Sequence, residues 1–413
     1  MADQTFASWW KELPLVLIHP TTASFDDLPR DLIINILSRL PVKTLVQSTA
    51  VCQNWYSLIK NPVCVRAHLA RSISQLAATS TDHFILVTPK EFSDEPTLSI
   101  LAENENYDLC GKVKIPFQTR SKTVKIVGSC HGLVCLTDDV DCAYGGDVYL
   151  FNPVIRKFKM LKHEFSCYCD WMEKNFTTYP VLGFGFCERA SDFRVVRILY
   201  SAHHVGGKLR PRVEVYSLKS GKWRSVLGAK IAHTVFRGCN AFVDGCIFWV
   251  AAERAHARIS WVVWFDLKDE VFYEVELPEN YDKDTMESDL PVNIMRWNGE
   301  VAIGAVEPGG AGKGVKCGFW VLRKDDYGKW LWQKKFKVVL GDTLCGIPVG
   351  FTWSGKCLID ALDREDRSRR KVNAALTKTV ALNLVDLKFK DLASDGPHTV
   401  ATCFEEGIVL FLD

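Results

Sequence analysis

The hydrophobic pattern of this chain changes its period once, and that change limits the fold more than any other feature. From Asp26 to Leu69 the apolar residues recur at helical spacing. Leu28, Leu32, Ile33, Ile36, Leu37 and Leu40 fall on one side of a 3.6-residue helix, a face expected to be buried. Asp26 and Asp27 offer acceptors and negative charge to a first turn, while Pro41 removes a donor and stops the helix after Leu40. Two short helices are expected next, through Lys43–Gln47 and Asn54–Ile59, the latter closed by Asn61-Pro62. Three helices in roughly 40 residues enclose a very small core, so such a unit needs a partner or a neighbouring domain.

Beyond about residue 80 the pattern alternates, as half-buried strands do. Phe84–Val87, Gly132–Leu136, Val148–Phe151 and Phe193–Leu199 are short runs rich in Val, Ile and aromatics, separated by turns such as Asn152-Pro153, Asp244-Gly245 and Asn298-Gly299. The runs repeat as a unit. A glycine turn leads into an apolar strand at His131-Gly132, Asp244-Gly245, Asn298-Gly299 and Ser354-Gly355, followed by a strand, a polar turn and a short return strand. The spacing, roughly 50–65 residues, is that of a propeller blade. Six sheets fit, near 83–117, 124–160, 180–226, 240–277, 292–338 and 347–392. Gly407–Leu412 is left over and is expected to close the ring by pairing into the first sheet. The expected fold class is therefore α+β multidomain: an extension over 1–24, a three-helix module over 25–70, a linker over 71–82 and an all-β propeller over 83–413.

Composition excludes several alternatives. The net charge of +2 argues against a polyanionic partner such as nucleic acid. Hydrophobic residues at 47% and charged residues at 24% suit a chain that buries a core. The 15 cysteines are scattered and odd in number, which favours free thiols in a reducing compartment over a disulfide scaffold. The acidic amino-terminal stretch lacks a secretory pattern, and no run is long and apolar enough to span a membrane, so the expected location is cytoplasm, nucleus or both. The basic run Arg367–Lys371 follows four residues that include three acids, and reads as a solvated loop.

Particular residues add a family resemblance. Leu28-Pro29-Arg30-Asp31-Leu32-Ile33, Ile36–Leu45, Val51–Ile59 and His68-Leu69 resemble an F-box in order, spacing and type. The remainder is similar to the F-box-associated domain of plant F-box proteins of the kelch-like and S-locus groups. Gly128–Cys135, Phe151–Lys157, Leu182–Phe186 and Val213–Leu218 carry that likeness, between about 125 and 277. The double glycines Gly145-Gly146, Gly206-Gly207 and Gly309-Gly310 sit in loops, so the likeness to kelch repeats is one of architecture.

The resemblance implies a substrate receptor. Its helical module would dock on a Skp-type adaptor, and through it on a cullin and a RING subunit, while the propeller holds a protein substrate for ubiquitination. The adaptor-facing positions it implies are Leu28, Pro29, Ile36, Leu40, Pro41, Val42, Leu45 and Val51, with Trp55, Leu58 and Ile59 shared between packing and interface. Arg30 replaces a frequent Glu and Gln53 a frequent Lys, which removes charged contacts but keeps the apolar anchors that dominate interfaces.

No catalytic motif, cofactor or metal site is expected. Cys167, Cys169, His203 and His204 lack zinc-ligand spacing, and Gly304–Gly314 has Glu307 and Gly314 where a phosphate loop needs Gly and Ser or Thr. Substrate recognition is expected in the long loops Asp138–Asp147, Glu164–Thr178, Ala202–Arg212, Pro278–Leu290, Glu307–Val315 and Leu362–Leu376, with Trp171 as aromatic anchor. Two rival readings share the same residues: a propeller enzyme or small-molecule sensor with an accessory front, and an adaptor-binding protein acting outside the ligase.

Overall fold

The computed structural model describes residues 28–75, 83–89, 96–119, 124–138, 146–162, 178–201, 211–228, 230–253, 259–278, 292–307, 316–339, 345–362, 378–392 and 398–404. The chain divides into two compact units, residues 1–71 and 72–413.

The first unit holds three helices, α1 (Arg30–Leu37), α2 (Val42–Ser48) and α3 (Gln53–Ile59), and the first ten residues of a fourth, α4 (Pro62–Gln75). Helix α1 ends at Leu37, three residues short of the expected stop. A residue that precedes proline is driven out of the helical region, so Leu40 cannot extend α1 towards Pro41. Instead Arg39 and Leu40 donate to the carbonyls of Ile36 and Leu37, tightening the last turn. The fourth helix is a correction to the three expected. Pro62 begins α4 rather than merely ending α3, because the first helical position needs no amide donor. Asn61 caps it, its Oδ1 accepting from the Val63 amide at 2.9 Å. Helix α4 therefore continues to Gln75, into the stretch expected to be linker.

The second unit is a ring of six four-stranded antiparallel sheets. The first blade contains β1 (Phe84–Pro89), β2 (Thr97–Ala102) and β3 (Leu109–Lys114). The second is β4 (Lys125–Cys130), β5 (Leu133–Thr137), β6 (Val148–Asn152) and β7 (Lys157–Met160). Then come β8 (Thr178–Cys187), β9 (Asp192–Ser201), β10 (Arg212–Ser217) and β11 (Lys222–Ser225) in the third, and β12 (Thr234–Val243), β13 (Cys246–Ala252), β14 (Trp261–Asp266) and β15 (Phe272–Glu276) in the fourth. The fifth is β16 (Val292–Trp297), β17 (Glu300–Glu307), β18 (Lys316–Lys324) and β19 (Trp330–Val339). The sixth is β20 (Cys345–Phe351), β21 (Cys357–Leu362), β22 (Lys378–Leu382) and β23 (Phe389–Asp391). The first blade is completed by β24 (His398–Phe404), which pairs antiparallel with β1 from Phe84↔Phe404 to Pro89↔His398. Ring closure by a carboxy-terminal strand is as expected, but the strand is 398–404; the expected segment 407–412 lies outside the described residues.

Two devices hold neighbouring blades together. Apolar side chains from facing sheets form shared cores, such as Val196 and Val215 with Trp249 and Phe265 between blades three and four. Indole N–H groups then reach back to the preceding blade: Trp249 to the Leu182 carbonyl at 3.0 Å and Trp332 to Glu276 at 2.8 Å. Every outer hairpin turn repeats one local bond pattern. A short polar side chain at its start (Asn104, Asn152, Ser217, Asp266, Asp325 or Asn383) accepts from a backbone amide two or three residues on.

Gly183 and Gly185 let the third and fourth blades approach. A Cβ on Gly183 would lie 2.6 Å from Ile247 Cγ2 and overlap the Trp249 ring, while one on Gly185 would overlap Phe242. Gly183→Ala is therefore expected to destabilise the propeller by about 1–3 kcal/mol. Gly111→Ala, where a Cβ meets no atom within 4 Å, should cost no more than about 0.5 kcal/mol. Denaturant unfolding of the full chain, followed by tryptophan fluorescence, separates the two.

Candidate interaction surfaces

The helical unit does not bury all of its own apolar surface. Helices α1 and α2 both pack on α3, and this splits the apolar side of α1 that the sequence pattern treats as one buried face. Ile33, Ile34 and Leu37 are buried, whereas Leu28, Leu32 and Ile36, one turn apart, are 38%, 52% and 42% exposed. Packing on α3 covers one apolar stripe of α1, and the second stays in water. Val51, at 64%, continues the exposed set.

The eleven expected adaptor positions fall into three groups. Leu28, Pro29, Ile36, Pro41 and Val51 are exposed, and Leu40 and Trp55 are half-buried. Val42, Leu45, Leu58 and Ile59 are buried, so they shape the surface from beneath rather than line it. Leu32, the most exposed residue of the α1 stripe, belongs with the surface group; its helical spacing from Leu28 and Ile36 was the signal that could have placed it there.

His68 of α4 is also buried, with Nε2 donating to the Leu40 carbonyl at 3.2 Å. Burial pushes its pKa below the ordinary 6.5, opposed by that hydrogen bond.

In the propeller, antiparallel order sorts the connections by face. The third-to-fourth strand turns of all six blades, and the first-to-second turns of blades two to six, lie at one face, and they are short. The second-to-third connections and the links between blades lie at the other. All six expected recognition loops belong to this second set, so the strand ends that border them share one face. The loops themselves lie almost wholly outside the described residues, as do Trp171, Cys167, Cys169, His203 and His204. Glu307, expected to begin a loop, is the last residue of β17. Of the other tryptophans, Trp249, Trp264 and Trp320 are buried between blades.

The short-turn face surrounds the ring axis. A cavity of about 200 Å³ there is lined by inner-strand residues, with His131, Arg296, Asn298 and Trp353 around it. Trp353 is held from three directions. His83 stacks on its ring at 4.9 Å, the Arg296 guanidinium lies 5.2 Å from the ring centroid, and the Glu103 carboxylate accepts from the Trp353 and Ser354 amides at 2.9 and 2.6 Å. Lower in the channel Asn240 donates across to the Val127 carbonyl at 2.8 Å, linking two inner strands that are not ring neighbours. Among the described residues no three His, Cys, Asp or Glu side chains gather to hold a metal, and no helix is long and apolar enough to cross a membrane.

Residues 83–348 match the F-box associated beta propeller domain family. The chain belongs to that family. Residues 25–66 match the F-box domain, so both halves of the resemblance are present, and the propeller match extends beyond the 125–277 stretch that carries it in sequence. F-box protein At3g07870 of Arabidopsis thaliana is 26% identical, over 74% of this chain and 79% of that protein. The F-box/kelch-repeat protein At3g23880 of Arabidopsis thaliana is 27% identical, over 61% of this chain and 66% of its own length. The β-propeller domain of the Trilobed protease from Pyrococcus furiosus aligns over 80% of this F-box chain and 96% of its own, at 9% identity and a TM-score of 0.36, a likeness too low to carry an argument about activity.

The buried imidazole gives the F-box unit a pH dependence. His68 binds a proton less readily folded than unfolded, so its contribution is fully present above about pH 6.5 and is lost as pH falls towards the lower folded value. Between about pH 7.5 and 5.5, the opening free energy of α4 in the full chain, read from amide exchange after correction for its intrinsic pH dependence, should fall. In His68→Gln, which keeps a donor but cannot titrate, that fall should shrink; an unchanged fall excludes His68 as its source.

Proposed function

We infer that this F-box propeller protein is the substrate-recognition subunit of a Skp-cullin-F-box ubiquitin ligase. The observation that carries the reading is the exposed α1 stripe of Leu28, Leu32 and Ile36 on a unit that matches the F-box domain. An apolar helix face left in water is what a groove in an adaptor would cover. The adaptor then connects the chain to a cullin and its RING subunit. The propeller holds a target protein, which is marked for degradation.

No bond is made or broken by this chain in that mechanism. The helical unit fixes the chain to the transfer machinery, and the propeller keeps the target's lysines at high effective concentration beside the charged conjugating enzyme. The rate gain is one of proximity and orientation, which agrees with a fold whose polar side chains serve turns and blade seams.

The test is a pull-down of the full chain with a Skp-type adaptor and cullin. Leu32→Glu and Ile36→Glu each place a charge where apolar cover is expected, and each should weaken adaptor recovery by at least about tenfold. Because both positions are exposed, the helical content seen by circular dichroism should not change. Wild-type chain that recovers neither protein would overturn the reading, and adaptor without cullin would favour an adaptor-binding role outside the ligase.

A further inference from the structure

The short-turn face carries a second concavity, off the axis, between blades four and five. This groove, about 740 Å³, opens between the β14–β15 hairpin and the β18–β19 hairpin. Its walls are aromatic. Trp264 and Tyr273 are cross-strand partners whose rings stack at 5.5 Å, and Trp330 from the next blade stands edge-on to Trp264, also at 5.5 Å. Trp264 is 4% exposed and forms the floor, while Tyr273 is 45% exposed. Trp330 is half-buried.

The charges around those rings are unequal. Arg323 and Glu300 satisfy each other in a two-bonded ion pair, one bond being 2.7 Å from Nη2 to Oε2. That leaves Asp244 and Asp266 against one cation, Lys324. The Cys246 thiol, on the strand beside them, reports the balance: its pKa is pushed up to about 12, first by burial and then by Asp266 and Asp244, with Lys324 opposing. Lys324 is itself informative. Its ammonium lies 4.8 Å from the centroid of Trp330, its cross-strand partner, so the groove already holds a cation on an aromatic face.

We propose that this groove is a binding site for an arginine or lysine side chain presented by a peptide segment. The aromatic rings supply the faces, Asp244 and Asp266 supply the counter-charge, and Lys324 occupies part of the site until displaced. An anionic ligand would meet two carboxylates, and a purely apolar one would cover their charge without a counter-charge. That the segment belongs to a target destined for ubiquitination rests on the receptor reading above; the side-chain specificity does not. The site lies on the face opposite the strand ends that border the long loops, so it adds a contact region that loop length does not indicate.

The experiment is fluorescence anisotropy of the full chain with four fluorescein-labelled, glycine-spaced peptides carrying arginine, lysine, citrulline or glutamate. The arginine or lysine peptide should bind at least about tenfold more tightly than citrulline, which keeps the shape without the charge. Tyr273→Ala and Trp330→Ala should each weaken binding by about 2–30-fold, the range of a cation–aromatic contact. Asp244→Asn, a substitution that the left-handed backbone at φ 47° tolerates, should weaken it while leaving unfolding unchanged. Lys324→Ala should tighten it, because the competing internal cation is gone, whereas removal of the distant Lys222 should do nothing. Binding of both the arginine and the lysine peptide no tighter than that of citrulline, wild-type affinity in Asp244→Asn, or weaker binding in Lys324→Ala would each overturn the proposal. Failure of adaptor recovery with peptide binding intact would overturn the receptor reading and leave the groove; the reverse pattern would remove the groove alone.

Discussion

The pairing of β24 with β1 joins strands more than 300 residues apart in the chain, and the propeller depends on it. The first blade has only three strands of its own, and without β24 the β1 edge would offer a row of unpaired amides and carbonyls. The seams on both sides also depend on this strand. Phe404 packs into the core shared with the second blade, and Cys403 reaches the Phe351 carbonyl of the sixth. Closure converts six sheets, each with two faces to bury, into one ring in which every face has a neighbour.

That ring sorts the chemistry. Because each blade is antiparallel, short turns collect at one face and long connections at the other, whatever their sequences. On the short-turn face Asp244-Gly245 and Asn298-Gly299 turn without bulk, which leaves room for the blade seam between them to open as a groove. The helical unit follows a different logic. Too small to bury every apolar residue it carries, it keeps Leu32 and Ile36 exposed, and the shortage of core becomes a surface for a partner.

Much of the architecture was legible before any coordinates. Glycine turns and alternating runs located all six blades within a few residues, since strand period and turn chemistry are local properties. Helix ends were less legible. Pro41 marks a stop, but α1 ends three residues before the position it suggests, and Pro62 both closes α3 and begins α4, because proline stops one helix and starts another by the same missing amide. Periodicity shows that the apolar residues of α1 share a side but not how much of that side a neighbour covers. The blade four–five groove escaped entirely: Trp264, Tyr273 and Trp330 look like ordinary strand aromatics, and nothing local brings the third to the other two.

The sequence by itself determined the two-part organisation, the helical and strand periods, the blade spacing, the polar starts of the outer turns and the membership implied by the F-box residues, all of which arise from neighbours in the chain. Only the tertiary structure decided which strand closes the ring, which apolar residues of α1 remain in water, and that two carboxylates and three aromatic rings from adjacent blades share one groove. Those outcomes depend on contacts between residues far apart in sequence, and only the packing of whole sheets and helices sets which distant side chains meet.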